Sequence, residues 1–394
     1  MDIYQSAAEV IRSFPVEQPV LALRPHAAAR AARWFLDNFP GQTLYAMKAN
    51  DAPIIVDALY GAGIRHFDVA SPAELHQAAA LPGVSLHVMH PVKSRRFIAE
   101  AYYDFGVRTF ALDSEEELQK ILEETGHARD LTLVVRMACP STFSEIPLEG
   151  KFGIHWHQAP ALLGKTRQAA DSLGVTFHVG SQTMGTQGYG QALRSVSQQI
   201  VRAGTLVDIV DVGGGFPSRY PGMEPPALDA YMREIETAFE AMAVGQSCEL
   251  WCEPGRALVA EAESVIVKVE ARRGNTLYIN DGSFGTLYDA SHCKWVFPAR
   301  AISAQGDEMA EWGLTGFDLY GPTCDSADYL PGPFMLPGAI REGDFIEIGN
   351  IGAYGRVMAS RFNGYGRYDD IIVTDEPLLS MYGPGADTRV AVTI

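Results

Sequence analysis

Lys48 closes an apolar run, TLYAMKAN, that turns abruptly polar after it. A lysine ending a buried strand is costly unless its amine is paired, neutralised or used covalently. Roughly 200 residues later stands CEPGR, with Glu253, Gly255 and Arg256, and later still GPTCDSADYL, with Cys324 and Asp325. A lysine can attack a carbonyl once deprotonated, and desolvation at a strand end would lower its pKa. A glutamate can pair with a protonated ring nitrogen, and an arginine can hold a phosphate oxygen. Taken singly, a strand-end lysine is more often a surface group, and a Pro-Gly pair is more often just a turn. The ordered set reverses those odds.

Other groups extend the pattern. Gly213, Gly214 and Gly215 follow VDIVDV, and glycines after a strand let backbone N–H groups approach an anion closely. A lone Gly-Gly-Gly is usually only a tight turn, but loops after the late strands of a barrel frequently bind phosphate. His178 and Ser181 lie in FHVGSQ, where the imidazole could lie flat on an aromatic ring with Ser181 near a phosphate. Tyr354 in GAYGR could reach the same phosphate. A free cysteine is usually inert. Cys324 nonetheless has the chemistry to return a proton to a substrate carbon, and Asp325 to bind a distal ammonium. Together these groups point to pyridoxal 5′-phosphate (PLP) as cofactor. No metal is expected. His155 and His157 in HWH would share one face of a strand, but no nearby acid or cysteine completes a set. Cys248 and Cys252 lack a second pair.

The bulk numbers set the frame. A chain of 394 residues reads as two domains. Apolar content of 47% and charged content of 20% are those of a globular protein. A net charge of −17 argues against a nucleic-acid partner and suits a cationic small molecule. Five scattered cysteines suggest a reducing compartment rather than a disulfide framework. The N-terminus lacks an apolar stretch of signal length, and no run approaches the ~20 apolar residues of a membrane span. The cytoplasm is the expected location, with no membrane partner.

Positioning falls to eight apolar runs: TLYAMK, HFDVA, SLHVMH, TFALD, LTLVVRM, VTFHVGS, VDIVDVGGG and ELWCEPG. Amphipathic segments such as SPAELHQAAAL and SEEELQKILEETG alternate with them. Strand–helix alternation over residues 25–262 predicts a (β/α)8 TIM-like barrel, in an α/β chain. An open doubly wound sheet is the alternative, but no GxGxxG follows the first strand. After Leu258 the texture becomes strands and Gly-rich turns, predicting a C-terminal β-domain over 263–394 that residues 1–24 join. Lys48, Asp68, Arg136, His178, Gly213–Gly215 and Glu253 then fall at C-terminal strand ends, where barrel active sites collect.

With these motifs in view, the chain resembles the alanine-racemase-fold (fold type III) PLP decarboxylases, and among them most the ornithine decarboxylases. The resemblance runs through YAMKAN, FDVASPAEL, FALDSEEEL, KFGI, FHVGSQ, DVGGGFP, EPGR, YGPTCDSAD and GAYGRVMASRFNGY. It implies that Lys48 carries PLP, with Asp68, Glu74, Arg136 and His178 around the cofactor. Ser181, Gly214, Gly215, Gly255, Arg256 and Tyr354 match phosphate-side positions, and Glu253 matches the ring-nitrogen partner. It also implies a head-to-tail homodimer whose active sites are shared, Cys324 and Asp325 coming from the other subunit. The implied reaction is decarboxylation of a basic L-amino acid, L-ornithine to putrescine in the first place. Lysine, diaminopimelate, arginine or a carboxylated polyamine are alternative substrates, and a non-catalytic regulator of the same fold is a distant one. The segment NDGSFGTLYDASH is shorter than the family pattern and carries Phe284 where many members have Tyr. Tyr288 and Asp289 match the substrate-binding pair across that shortened stretch. Cys-Asp-Ser, where diaminopimelate decarboxylases usually carry Cys-Glu-Ser, favours a diamine-forming substrate.

Overall fold

The eight apolar runs form a closed parallel barrel. Its strands are Gln42–Ala46, His66–Asp68, Ser85–Val88, Thr109–Leu112, Thr132–Arg136, Ser172–Thr176, Ile209–Asp211 and Glu249–Cys252. They pair in sequence order, and the eighth closes on the first through Trp251–Gln42 and Cys252–Thr43. The computed structural model describes residues 2–245, 247–310 and 312–383; the β-domain expected to run through 384–394 lies in part outside them.

Local chemistry starts the helices that separate the strands. The Ser71, Ser94 and Ser114 hydroxyls each accept the backbone N–H three residues on, at 3.3, 3.2 and 3.2 Å. Pro25, Pro53 and Pro72 occupy first turns, where no N–H is needed. Helix Pro25–Asn38 turns Ala28, Ala31, Ala32 and Phe35 into the core. Burial of a side chain such as Phe35 contributes about 2–3 kcal/mol.

The chain leaves the barrel through the short helix Arg256–Val259 and enters a nine-stranded sheet. Strand Glu263–Arg273 is its hub, pairing antiparallel with Val20–Leu23, Thr276–Ile279 and Phe345–Ile348. Val20–Leu23 in turn lies parallel to Asp369–Val373, so the N-terminal segment is part of this sheet. Four strands of the sheet are readable from the sequence, in SVIVKVEARRG, TLYINDGSF, FDLYGPTCD and DFIEIGNIGAY, which form Glu263–Arg273, Thr276–Ile279, Leu314–Tyr320 and Phe345–Ile348. Tyr329–Pro337 is not, because Pro331, Pro333 and Pro337 interrupt it; it is tolerated as the last strand of the sheet path, where few N–H groups need partners.

One local expectation changes. His155 and His157 do not sit on a strand but in the turn leading to helix Ala159–Ala169. A small antiparallel pair, Ser144–Ile146 with Ser181–Thr183, ties the segment after the fifth barrel strand to the loop after the sixth.

A buried ion cluster locks the sheet. Arg24 Nη2 lies 2.7 Å from Glu347 and 2.8 Å from Asp375, and Arg300 Nη2 lies 2.6 Å from Glu347. The Ser264 hydroxyl also donates to Glu347, at 2.7 Å. Burial alone would raise the Glu347 pKa, but Arg24 and Arg300 outweigh it and hold the carboxyl down to about 2. A depressed acid stabilises the fold above its unfolded value of 4.5, and that stability is lost as the pH falls from there through about 2. Glu347→Gln is therefore expected to cost about 3 kcal/mol at pH 7 and to flatten the acid limb of the stability curve, measured by urea unfolding against pH.

Candidate active site

The C-terminal ends of the barrel strands surround a cavity of about 400 Å³. Lys48, Asp68, Arg136, His178, Ser181, Gly214, Gly215, Glu253, Gly255, Arg256 and Tyr354 all line it. Tyr354 alone among these comes from the sheet domain. It sits at φ +60°, a strained value for a tyrosine, and its N–H donates to the Ala49 carbonyl at 2.9 Å.

Lys48 lies in the single 3-10 turn Met47–Ala49, directly after the first barrel strand. Its side chain is 43% exposed to the cavity, and Nζ donates to Asp68 Oδ2 at 3.2 Å. Loss of water pulls the ammonium pKa down, but Asp68, then Glu253 and Tyr354, more than compensate, and the net shift is upward. This corrects the expectation of a depressed amine: without a bound partner, surrounding acids keep Lys48 charged.

Glu253 follows the eighth strand. Burial first, then the neighbouring carboxyls of Asp211 and Asp68, push its pKa well up, against the pull of Lys48. Asp68 Oδ1 and Glu253 Oε1 are both buried and receive no donor from the described residues. His178 accepts the Gly180 N–H on Nδ1 at 3.1 Å, leaving Nε2 as the protonated nitrogen of a neutral ring. Burial, helped by Arg136 and Lys48, pushes its pKa far down and keeps it neutral.

The opposite end of the cavity suits an anion. Gly215 adopts φ +104°, and a Cβ there would stand 2.5 Å from the Gly180 carbonyl oxygen. A Cβ on Gly214 would stand 2.7 Å from the Glu253 carbonyl oxygen and 3.1 Å from His178 Nε2. Beside this cradle, Arg256 donates to Ser181 Oγ at 3.4 Å, Tyr220 Oη at 3.0 Å and Asp289 Oδ2 at 2.9 Å. Its guanidinium lies 4.9 Å from the Trp295 ring centroid and 5.1 Å from that of Tyr354.

Six expected site residues do not line the cavity, Gly213 among them, its N–H being committed to Asp211 Oδ1 at 2.9 Å. Glu74 instead accepts the Ala70 N–H at 2.7 Å and helps cap its helix. Asp289 is buried against Arg256, and Tyr288 stacks on His292 at 5.0 Å, both within the short helix Tyr288–His292. Cys324 and Asp325 are exposed on a loop of the sheet domain. There the Cys324 N–H donates to Asn363 Oδ1 at 3.2 Å, and Asp325 accepts the Ala327 N–H at 2.9 Å.

The sequence reading missed other groups. His90 and Phe152 line the cavity with their rings edge to face at 5.2 Å. The turn carrying His90 is held by the fully buried Lys93, whose ammonium donates to the His90 carbonyl at 3.0 Å and pairs with Glu117 at 2.9 Å. Asp211, buried at the end of the seventh strand beside Glu253, was also missed. Its signal was present: like Asp68, it is an acid at the last position of a barrel strand.

Orphaned acid oxygens, a reachable amine and a side-chain-free cradle beside a guanidinium fit PLP. Comparison with known proteins agrees. Residues 26–260 match the family described as "Pyridoxal-dependent decarboxylase, pyridoxal binding domain", and 258–352 match "Pyridoxal-dependent decarboxylase, C-terminal sheet domain". The chain belongs to the pyridoxal-dependent decarboxylases. A lysine/ornithine decarboxylase of Selenomonas ruminantium is 31% identical over 84% of each chain. An ornithine decarboxylase of Panagrellus redivivus is 32% identical over 87% of this chain and 82% of its own. A crystal structure of an SrLDC mutant in complex with PLP superposes with a TM-score of 0.82 at 27% identity, covering 95% of this chain and 97% of that one. PLP is the cofactor of the decarboxylase. Gly215→Ala would force a Cβ against the Gly180 carbonyl, and cofactor affinity is expected to fall by about tenfold or more. Absorbance titration of stripped protein measures it, and unchanged affinity would remove Gly215 from the cofactor site.

Proposed function

We propose that this decarboxylase acts on a basic L-amino acid, L-ornithine before others, and releases putrescine. The observation that carries the reading is the single cavity in which Lys48, paired with Asp68, shares space with Glu253 while Arg256 stands at the glycine cradle. When bound, PLP supplies an aldehyde that condenses with amines and a ring that takes up the electron pair left when CO2 departs.

The chain's own residues do the rest. Lys48 Nζ is the amine placed to bind that aldehyde, and Asp68 Oδ2 is placed to take the proton its ammonium must lose. Glu253 would hold the ring nitrogen, and the neutral His178 would pack against the ring with Arg136 beside it. Ser181, Gly214, Gly215, Gly255, Arg256 and Tyr354 would hold the phosphate. Cys324 returns the proton to the α-carbon and Asp325 binds the distal ammonium. Since neither lines its own subunit's cavity, the reading requires a homodimer in which each loop completes the partner's site. Asp289, expected to share the ammonium with Asp325, is already engaged by Arg256, so we assign the ammonium to Asp325 alone. Relatives named for ornithine and for lysine/ornithine support a diamine-forming substrate. A reducing cytoplasm suits a chain whose five cysteines are all free.

Product analysis on ornithine, lysine, arginine and diaminopimelate side by side tests the substrate. Ornithine should lead lysine in kcat/KM by about tenfold, the scale of one methylene in a fitted pocket. A lead for arginine or diaminopimelate would refute the assignment. Mixing tests the shared site. Lys48→Ala and Cys324→Ala chains should each be nearly inactive, yet reassorted dimers should recover about a quarter of wild-type activity. No recovery would place Cys324 outside the partner's site.

A further inference from the structure

Asp211 has no role in the reading above, yet it is completely buried at the end of the seventh barrel strand. It accepts the Thr176 hydroxyl from the sixth strand at 2.9 Å and the Gly213 N–H at 2.9 Å. The carboxyl of Glu253, just past the eighth strand, stands against it: Asp211 pairs with Trp251, so Glu253 is its diagonal neighbour on the same face of the two parallel strands. The Glu253 N–H donates to the Gly213 carbonyl at 2.9 Å, so the backbone fixes the two acids side by side.

Two carboxyl groups in contact away from water cannot both be charged, and a hydrogen bond between them needs a proton. The charged groups facing them do not remove that need. Asp68, from the second strand, is a third acid, and Lys48, from the first, hydrogen-bonds Asp68 rather than either member of the pair. His178, after the sixth strand, is neutral. The N–H and hydroxyl donors on Asp211 favour its charged form, whereas Glu253 Oε1 receives no donor from the described residues. The resting proton therefore sits on Glu253.

Building on the placement of Glu253 at the ring nitrogen, we propose that Asp211 is a positioning residue that shares one proton with Glu253, so that the pair meets the nitrogen as a single negative charge. A protonated ring nitrogen draws the charge onto Glu253. One O–H bond then breaks at Glu253 as one forms at Asp211, and the pair keeps one proton and one charge throughout.

Infrared difference spectroscopy of the full-length protein, loaded with PLP and stripped of it, tests the shared proton. Wild type minus Asp211→Asn should show the C=O stretch of a buried carboxylic acid that shifts in D2O, and wild type minus Glu253→Gln should show the same band. Thr176→Val, which removes one donor from Asp211 and leaves both acids, should shift the band without abolishing it; this variant serves if Asp211→Asn does not fold. The kcat of Asp211→Asn should fall by about tenfold with KM changed less than about threefold, because the group acts on the ring and not on the substrate. A difference spectrum with no acid band, or a band indifferent to Thr176→Val, overturns the shared proton alone. Wild-type turnover in Glu253→Gln would instead overturn the ring-nitrogen assignment beneath it.

Discussion

Three carboxyl groups and one ammonium share the mouth of the barrel, and the chemistry follows from that imbalance. Asp68 pairs with Lys48, while Glu253 and Asp211 press against each other with little solvent. In water such acids would ionise independently. Here each charge raises the cost of the next, so protons stay where the exposed chemistry of these groups would not keep them. The same field holds Lys48 as an ammonium until a partner arrives, and only then does an amine at that position become a nucleophile. The site is balanced for a guest that brings positive charge at one end and negative at the other.

The negative end has a separate architecture. Backbone does most of the work at the glycine cradle, because a Cβ on Gly214 or Gly215 would collide with neighbouring carbonyls. Arg256 is held from three sides by Ser181, Tyr220 and Asp289, and aromatic faces cover it. A guanidinium fixed this way loses little freedom on meeting a phosphate. Part of that holding comes from residues beyond the barrel, and Tyr354 reaches in from the sheet domain. The ion cluster of Arg24, Glu347 and Arg300 therefore matters to the site although it touches none of it: it locks the sheet that presents Tyr354 and Asp289.

The segment carrying Leu148, Glu149 and Phe152 lines the cavity, whereas Cys324 and Asp325 do not. In the proposed reading Cys324 donates a proton and Asp325 binds an ammonium, although both are exposed on a loop that does not line their own subunit's cavity. The proposed dimer resolves this by letting one chain build the cofactor cradle while its partner supplies the groups that face the substrate.

The sequence by itself determined the barrel, the cofactor and most of the expected residues that line the cavity. Short apolar runs and three-to-four-residue periodicity mark strands and helices locally, and a parallel barrel delivers every strand end to one face. Knowing that Lys48, Arg136 and Glu253 end strands was therefore enough to place them together. Four things only the tertiary structure decided. Tyr329–Pro337 became a strand despite its prolines because an edge position forgives missing N–H donors. Asp289 turned to Arg256, since the shortened loop places it on a short helix beside that guanidinium. Lys48 kept its charge, and Asp211 joined Glu253, because electrostatic coupling depends on distance through space between groups far apart along the chain, and no spacing along a sequence states that distance.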